Sequence, residues 1–355
     1  MAASYCATAA PRSPSLTASE HESLQQDRPA SPTVYQLYLQ ANELGRKWDN
    51  LPAAVAIYER CVSLDPSYAA AWARLGRARW LWDKYNKGSL EGLRSADEAF
   101  QTALRLNPNL ALAHNLYTNL QVDQGRSLDA MKRLLDRAQQ RRSDAELFAG
   151  LAHVCRYCGL LQAALAAHQE ARRLDPLIAT SVNHTYFMLG NYERALEASG
   201  GDYGYGRALV LAMLGNVKDA VSQLREAEIS GPWRLGRLYL ISLRALLEGN
   251  RQESLEAGEE LMQATFRDPE GMYYMARQFS YLGHETYALD MLARAIDNGF
   301  FCYAAMVRDP WFDSLRANSI FTALLRKSHQ LHRQAASAFL AARGDSLLGL
   351  PAESY

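Results

Sequence analysis

Residues 72–108 read WARLGRARWLWDKYNKGSLEGLRSADEAFQTALRLNP. Two helical runs are visible, joined by a loop that contains glycine. The first carries Trp72, Leu75 and Gly76. The second sets Ala96, Phe100 and Ala103 on one face, and Pro108 follows it. Proline ends a helix because it lacks an N–H and clashes with the preceding turn. A small residue lets two helices approach closely, and the larger residue one turn later fills the space alongside. The stretch therefore predicts a pair of antiparallel helices.

Read outward from it, the pattern recurs. Ala54, Ala96, Ala130, Ala164, Ala195, Ala220, Ser254 and Ala288 follow one another at steps of 42, 34, 34, 31, 25, 34 and 34. Five residues upstream runs a second ladder of Gly125, Gly159, Gly190, Gly215, Gly249 and Gly283, with the same offsets. Glycine at the turn reaches backbone angles that strain other residues, so it ends each first helix. A fixed period of this length is the mark of a repeat array. The 42-residue step predicts a prolonged first helix and a Gly-containing loop in WLWDKYNKGSLEG. The 31 and 25 steps mark a shortened fifth unit ending in GGDYGYG, residues 200–206, where a kink or tight turn is expected.

The unit Trp72-x2-Leu75-Gly76, Ala96-x3-Phe100, Ala103, Pro108 resembles the tetratricopeptide-repeat (TPR) consensus, with Arg79 where that consensus has tyrosine. The resemblance implies an all-α, right-handed superhelical solenoid of about eight helix pairs with a C-terminal capping helix. A second resemblance is carried by GFFCYAAMVRDPWFDSLRANSIFTALLRK and YLQANELGRKWDNLPAAVAIYERCVSLDP. These are similar to the end and the start of the TPR regions that follow bacterial serine/threonine-kinase and winged-helix regulator domains. The organisation expected is a disordered Ser/Pro-rich tail over 1–32, the array over 33–300, a cap over 301–340 and a flexible tail over 341–355.

Composition narrows the function. Apolar residues make up 48% and charged residues 21%, as a folded chain requires. The 38 basic and 38 acidic side chains balance, which argues against a nucleic-acid partner. No run reaches the roughly 18 apolar residues of a membrane span, and the N-terminus has no secretory pattern. Cys6, Cys61, Cys155, Cys158 and Cys302 are odd in number and scattered, as in a reducing cytoplasm.

Catalytic and cofactor motifs are absent. GGDYGYG lacks the GK[ST] of a phosphate loop, and no kinase signature occurs. His153, Cys155 and Cys158 form one ligand pair without the second that a zinc site needs. The two thiols read as core filler; a metal or redox role is the competing reading. No cofactor and no metal are expected, and an enzyme with an unrecognised site is the weaker alternative.

The resemblance implies that first helices line a concave groove. Its register places Arg77, Asn115, Asn119, His153 and Arg156 there, with Asp123 as the only acid. Donors of this kind suit an acidic or extended peptide; a merely solvated groove is the competing reading. Further along, Tyr205, Tyr239, Tyr273, Arg277 and Tyr281 would form a secondary aromatic surface, or serve as packing residues. Arg126, Lys132, Arg133, Arg137, Arg141 and Arg142 read as a solvated outer face with salt-bridge pairs. The function expected is a protein- or peptide-binding scaffold in bacterial signalling, monomeric or weakly dimeric. A detached sensor region of a kinase or transcriptional regulator is the alternative.

Overall fold

The computed structural model describes residues 28–199, 204–230, 234–264 and 266–351. Eight antiparallel helix pairs follow one another along it. They are α1 Pro32–Leu44 with α2 Leu51–Leu64, α3 Ala69–Asn86 with α4 Leu90–Leu106, and α5 Ala111–Asp123 with α6 Ser127–Gln140. Next come α7 Ala145–Tyr157 with α8 Leu161–Leu174, α9 Val182–Met188 with α10 Tyr192–Ala198, and α11 Tyr205–Met213 with α12 Val217–Ser230. The last pairs are α13 Arg234–Leu247 with α14 Arg251–Gln263, and α15 Pro269–Tyr281 with α16 Glu285–Asp297. A closing segment holds α17 Tyr303–Arg308, a 3-10 turn Pro310–Leu315, α18 Ser319–Ala341 and α19 Gly344–Leu348. The fold is an all-α, TPR-like solenoid. No described helix is long and apolar enough to cross a membrane.

Both ladders have structural counterparts. Ala54, Ala96, Ala130, Ala164, Ala195, Ala220, Ser254 and Ala288 are all fully buried. At Gly76 the reason for small residues is direct, since an added Cβ would stand 3.1 Å from the Ala96 carbonyl and 3.0 Å from the Phe100 ring. Phe100 fills the space one turn on, and its complete burial contributes about 2–3 kcal/mol. The turn glycines from Gly125 to Gly283 all have positive φ, from 73° to 81°. Polar caps start several helices. Ser31 accepts from the Val34 N–H ahead of Pro32, Ser89 from the Gly92 N–H, and Asp268 from the Glu270 and Gly271 N–H groups ahead of Pro269. In the second unit α3 continues to Asn86 and Gly88 turns the chain at φ 60°. In the fifth unit both helices have only 7 residues. Residues 200–203 of the expected kink, and residues 1–27 of the expected tail, lie outside the described residues.

The array curls until its end meets its middle. The Phe301 N–H donates to the Tyr157 carbonyl at 3.0 Å, Ser127 Oγ to the Gly299 carbonyl at 2.8 Å, and Arg308 to the Met188 carbonyl at 3.1 Å. His332 Nδ1 lies 3.1 Å from the Cys158 carbonyl. The closing segment therefore seals the turns of units three, four and five as well as covering α16. Its last described part, through Pro351, differs from the flexible tail expected over 341–355, of which residues 352–355 lie outside the described residues. α18 runs through Ala341, and α19 packs on α6 and α8 because Leu347, Leu348 and Leu350 have apolar surface to cover. Curling also encloses α15, in which every residue from Pro269 to Ser280 is buried.

Candidate functional site

The first helices of several units are sealed against α15, whereas Arg74, Arg77, Asn115 and Asn119 on α3 and α5 stay half-buried. In the sealed part α15 supplies acids that the first helices of earlier units meet. Arg156 of α7 donates from Nε to Glu270 Oε1 at 3.2 Å and from Nη2 to Oε2 at 2.8 Å. Its Nη1 donates to the Ser181 carbonyl and hydroxyl at 3.1 and 2.6 Å. Arg156 Nη2 also lies 3.2 Å from His153 Nδ1, which must therefore accept, leaving the ring proton on Nε2. Burial first, then Arg156, holds His153 well below the usual histidine range. Burial would raise the Glu270 carboxyl, but Arg156 and then His184 outweigh it and hold it well below its usual range.

A second buried cluster joins units two, three and eight. Lys84 Nζ lies 3.0 Å from both Asp123 Oδ2 and Asp268 Oδ2, and Trp80 Nε1 donates to Asp123 at 2.8 Å. Burial, with Asp268 nearby, pushes the Asp123 carboxyl up to about 7 against the pull of Lys84. A third cluster locks the closing segment. Arg277 Nε donates to Asp309 Oδ2 at 2.5 Å, the Tyr273 hydroxyl donates to the same oxygen at 2.9 Å, and Trp311 lies 4.1 Å from the guanidinium.

These contacts correct two expectations. Arg156 is 1% exposed, and with His153 it belongs to the interior instead of an open groove, because Glu270 occupies the place of a ligand carboxylate. The aromatic set Tyr205, Tyr239, Tyr273, Arg277 and Tyr281 is not a surface. Tyr239, Tyr273 and Arg277 are buried, Tyr205 is half-buried with its hydroxyl accepting from Gln278, and only Tyr281 is exposed, against Trp311. Tyr273 and Arg277 are interior because α15, which carries both, is enclosed from Pro269 to Ser280. Cys155, Cys158 and Cys302 are buried, and burial pushes the Cys155 and Cys302 thiols up to about 12. No cluster of three or more metal-ligating side chains occurs among the described residues.

The candidate mouth is made of residues on α3 and α5, in units two and three. Arg77 and Arg74 of α3 are both half-buried, and neither forms an ion pair among the described residues. Burial and then Arg74 lower the pKa of Arg77. Arg74 Nε has no hydrogen-bond partner among the described residues. Tyr58 lies close to both, its hydroxyl donating to Asn42 Oδ1 at 2.6 Å. Asn115 donates to Glu146, an acid at this face that spacing did not reveal, and Asn119 donates to the Asn115 carbonyl at 3.3 Å. Sequence reasoning also missed Arg74, Lys84, Glu270, Asp268 and Asp309. Asp268-Pro269 and Asp309-Pro310 were legible as helix starts, but nothing in the text pairs them with arginines and a lysine far away in the chain.

The outer basic run is less ion-paired than expected. Arg133 is half-buried against Thr118, Gln121 and His114, Arg137 reaches Asn109, and Arg126 reaches Gln124. Arg141 alone of the run pairs with an acid among the described residues, Asp144 at 3.7 Å.

No protein-family model matches the chain, and no curated protein matches it. Solved structures similar to it include the Cut9–Hcn1 hetero-tetramer of APC/C, at 12% identity over 83% of this chain and 67% of that chain, with a TM-score of 0.47. The human IFIT1 dimer with m7Gppp-AAAA is similar at 17% identity over 82% and 67%, with a TM-score of 0.36. Yeast Tom70 is similar at 14% identity over 91% of each chain, with a TM-score of 0.26.

Proposed function

We propose that this protein is a non-catalytic scaffold that holds an acidic or extended segment of a partner protein at the mouth formed by Arg74, Arg77, Asn115 and Asn119. The observation that carries the reading is the pair of neighbouring, half-buried guanidiniums that form no ion pair among the described residues. Two like charges that have lost part of their hydration favour an arriving carboxylate, which completes charge-assisted hydrogen bonds there. The sealed clusters show the same chemistry already satisfied, since each buried cation there has its own carboxylate. A place in bacterial signalling, beside or detached from a kinase or regulator, is supported by the DPWFDSLR phrase, residues 309–316. The test is a pull-down from native lysate with wild type and with Arg74→Glu/Arg77→Glu, each checked for helicity and urea midpoint. Partners with acidic segments should be retained by wild type and lost by the folded double variant. Equal retention would overturn the mouth as the binding site.

A further inference from the structure

We propose that the groove between α6 and α18 is a second docking surface, one that takes an acidic amphipathic helix of a partner protein. The groove has a volume of about 640 Å³. Lys132 stands on its α6 wall, Arg326 and Arg333 on its α18 wall, and Leu128 and Ala338 supply apolar surface; no carboxylate lines it. Helix α18 has 23 residues and not one Asp or Glu. Its other ionisable groups are already used. Lys327 pairs with Asp297, His332 faces the Cys158 carbonyl, and His329 stacks on Tyr303 at 4.6 Å. Lys132, Arg326 and Arg333 remain exposed and form no ion pair among the described residues. Of the acids on α6, Asp136 accepts from Gln140 and Asp129 lies outside the lining.

The shape and spacing select the partner. From Arg326 to Ala341 the wall spans roughly 22 Å at about 1.5 Å per residue, the length of a four-turn helix. Arg326 and Arg333 are two turns apart, so carboxylates at i and i+7 of a docked helix meet both, while Lys132 closes from the opposite side. Alanine at 338 and 341 keeps the floor shallow, which admits a helix with its apolar stripe inward. A nucleic acid fits less well, because no Phe, Tyr or Trp lines the groove, its one imidazole, His329, is already stacked on Tyr303, and the chain has no basic excess.

Fluorescence anisotropy tests this with three labelled probes on the full chain. One is a 16-residue helical peptide of leucine and glutamate with its leucines on one face. The second carries glutamine for glutamate, and the third is a 12-nucleotide oligothymidine. The Glu peptide should bind wild type, and Arg326→Glu/Arg333→Glu should weaken it by roughly tenfold or more. Arg326→Gln/Arg333→Gln should weaken it less, and a loss on Arg74→Glu/Arg77→Glu as large as that on Arg326→Glu/Arg333→Glu would place the peptide at the mouth and not in this groove. Any of four further results would overturn the proposal: no binding of the Glu peptide, equal binding of the Gln peptide, equal binding by Arg326→Glu/Arg333→Glu, or tighter binding of the oligonucleotide. All four arginines lie outside the sealed core, and far-UV circular dichroism verifies that each variant is folded.

Discussion

Arg77 and Arg156 both lie on the inner sides of first helices, two units apart, and they met opposite fates. Arg156 was sealed by a carboxylate from 114 residues further along the chain, while Arg77 is left half-buried beside another arginine. The difference does not lie in the residues themselves or in their local helices. It lies in where the curl of the array brought α15. A buried cation needs a counter-charge wherever it is dehydrated. An interior cation without one would destabilise the fold, and a cation at the edge without one is available to bind.

The largest expected break in this comparison is Glu270→Gln. It keeps the shape and removes the counter-charge of Arg156, so stability measured by urea unfolding should fall by about 3–5 kcal/mol. A loss below about 1 kcal/mol would mean that Arg156 is hydrated and the inner face is open. Next in size is a contrast between two turn glycines. Gly159→Ala would place a Cβ 2.9 Å from His332 and 3.2 Å from Cys302 at φ 75°, whereas Gly249→Ala meets nothing within 4 Å at φ 81°. Gly249→Ala should cost about 1 kcal/mol for the left-handed backbone, and Gly159→Ala about 2–3 kcal/mol because the closing segment must shift as well. Equal losses would show that the closing segment does not seat on unit four.

Acid should act on the packed side of the mouth. His114, behind Asn115 on α5, is held at about 4 by burial, with the Arg133 charge also lowering it. Its Nε2 donates to the Pro108 carbonyl at 2.8 Å and its Nδ1 accepts from Arg133 at 2.6 Å, a neutral ring. The unfolded histidine titrates near 6.5, so this stability is present above that pH and is lost as pH falls from about 6.5 to about 4. Relative to His114→Gln, wild type should lose about 2 kcal/mol between pH 7 and pH 5. Parallel curves would place the imidazole in water. The smallest expected effect is at the mouth itself. Arg77→Met removes an unpaired charge and keeps much of the packed stem, so the urea midpoint should move by no more than the equivalent of about 0.5 kcal/mol. A large loss would reveal a structural partner for Arg77.

Much of the fold was legible in the sequence because its periods are local. Turn glycines and buried alanines recur with the repeat, and each acts within a single helix pair. Even the departures could be read, as in the long α3 with Gly88 and the two 7-residue helices of unit five. The candidate site was legible only in part. Arg77, Asn115 and Asn119 are half-buried on α3 and α5, while Arg156 was drawn into the core with half-buried His153 beside it.

Residues close together in the chain set the helix pair, its repetition and its turns. Small residues, glycine conformations and helix caps operate over a few residues and leave a readable period. Only the tertiary structure decided which donors stay open. That depended on the accumulated curl of eight pairs, which carried Asp268, Glu270 and Asp309 to Lys84, Arg156 and Arg277. The same curl laid α18 beside α6 and left a groove without acids between them. Small rotations between neighbouring units add along a solenoid, and pairings across such distances leave no local mark in the chain.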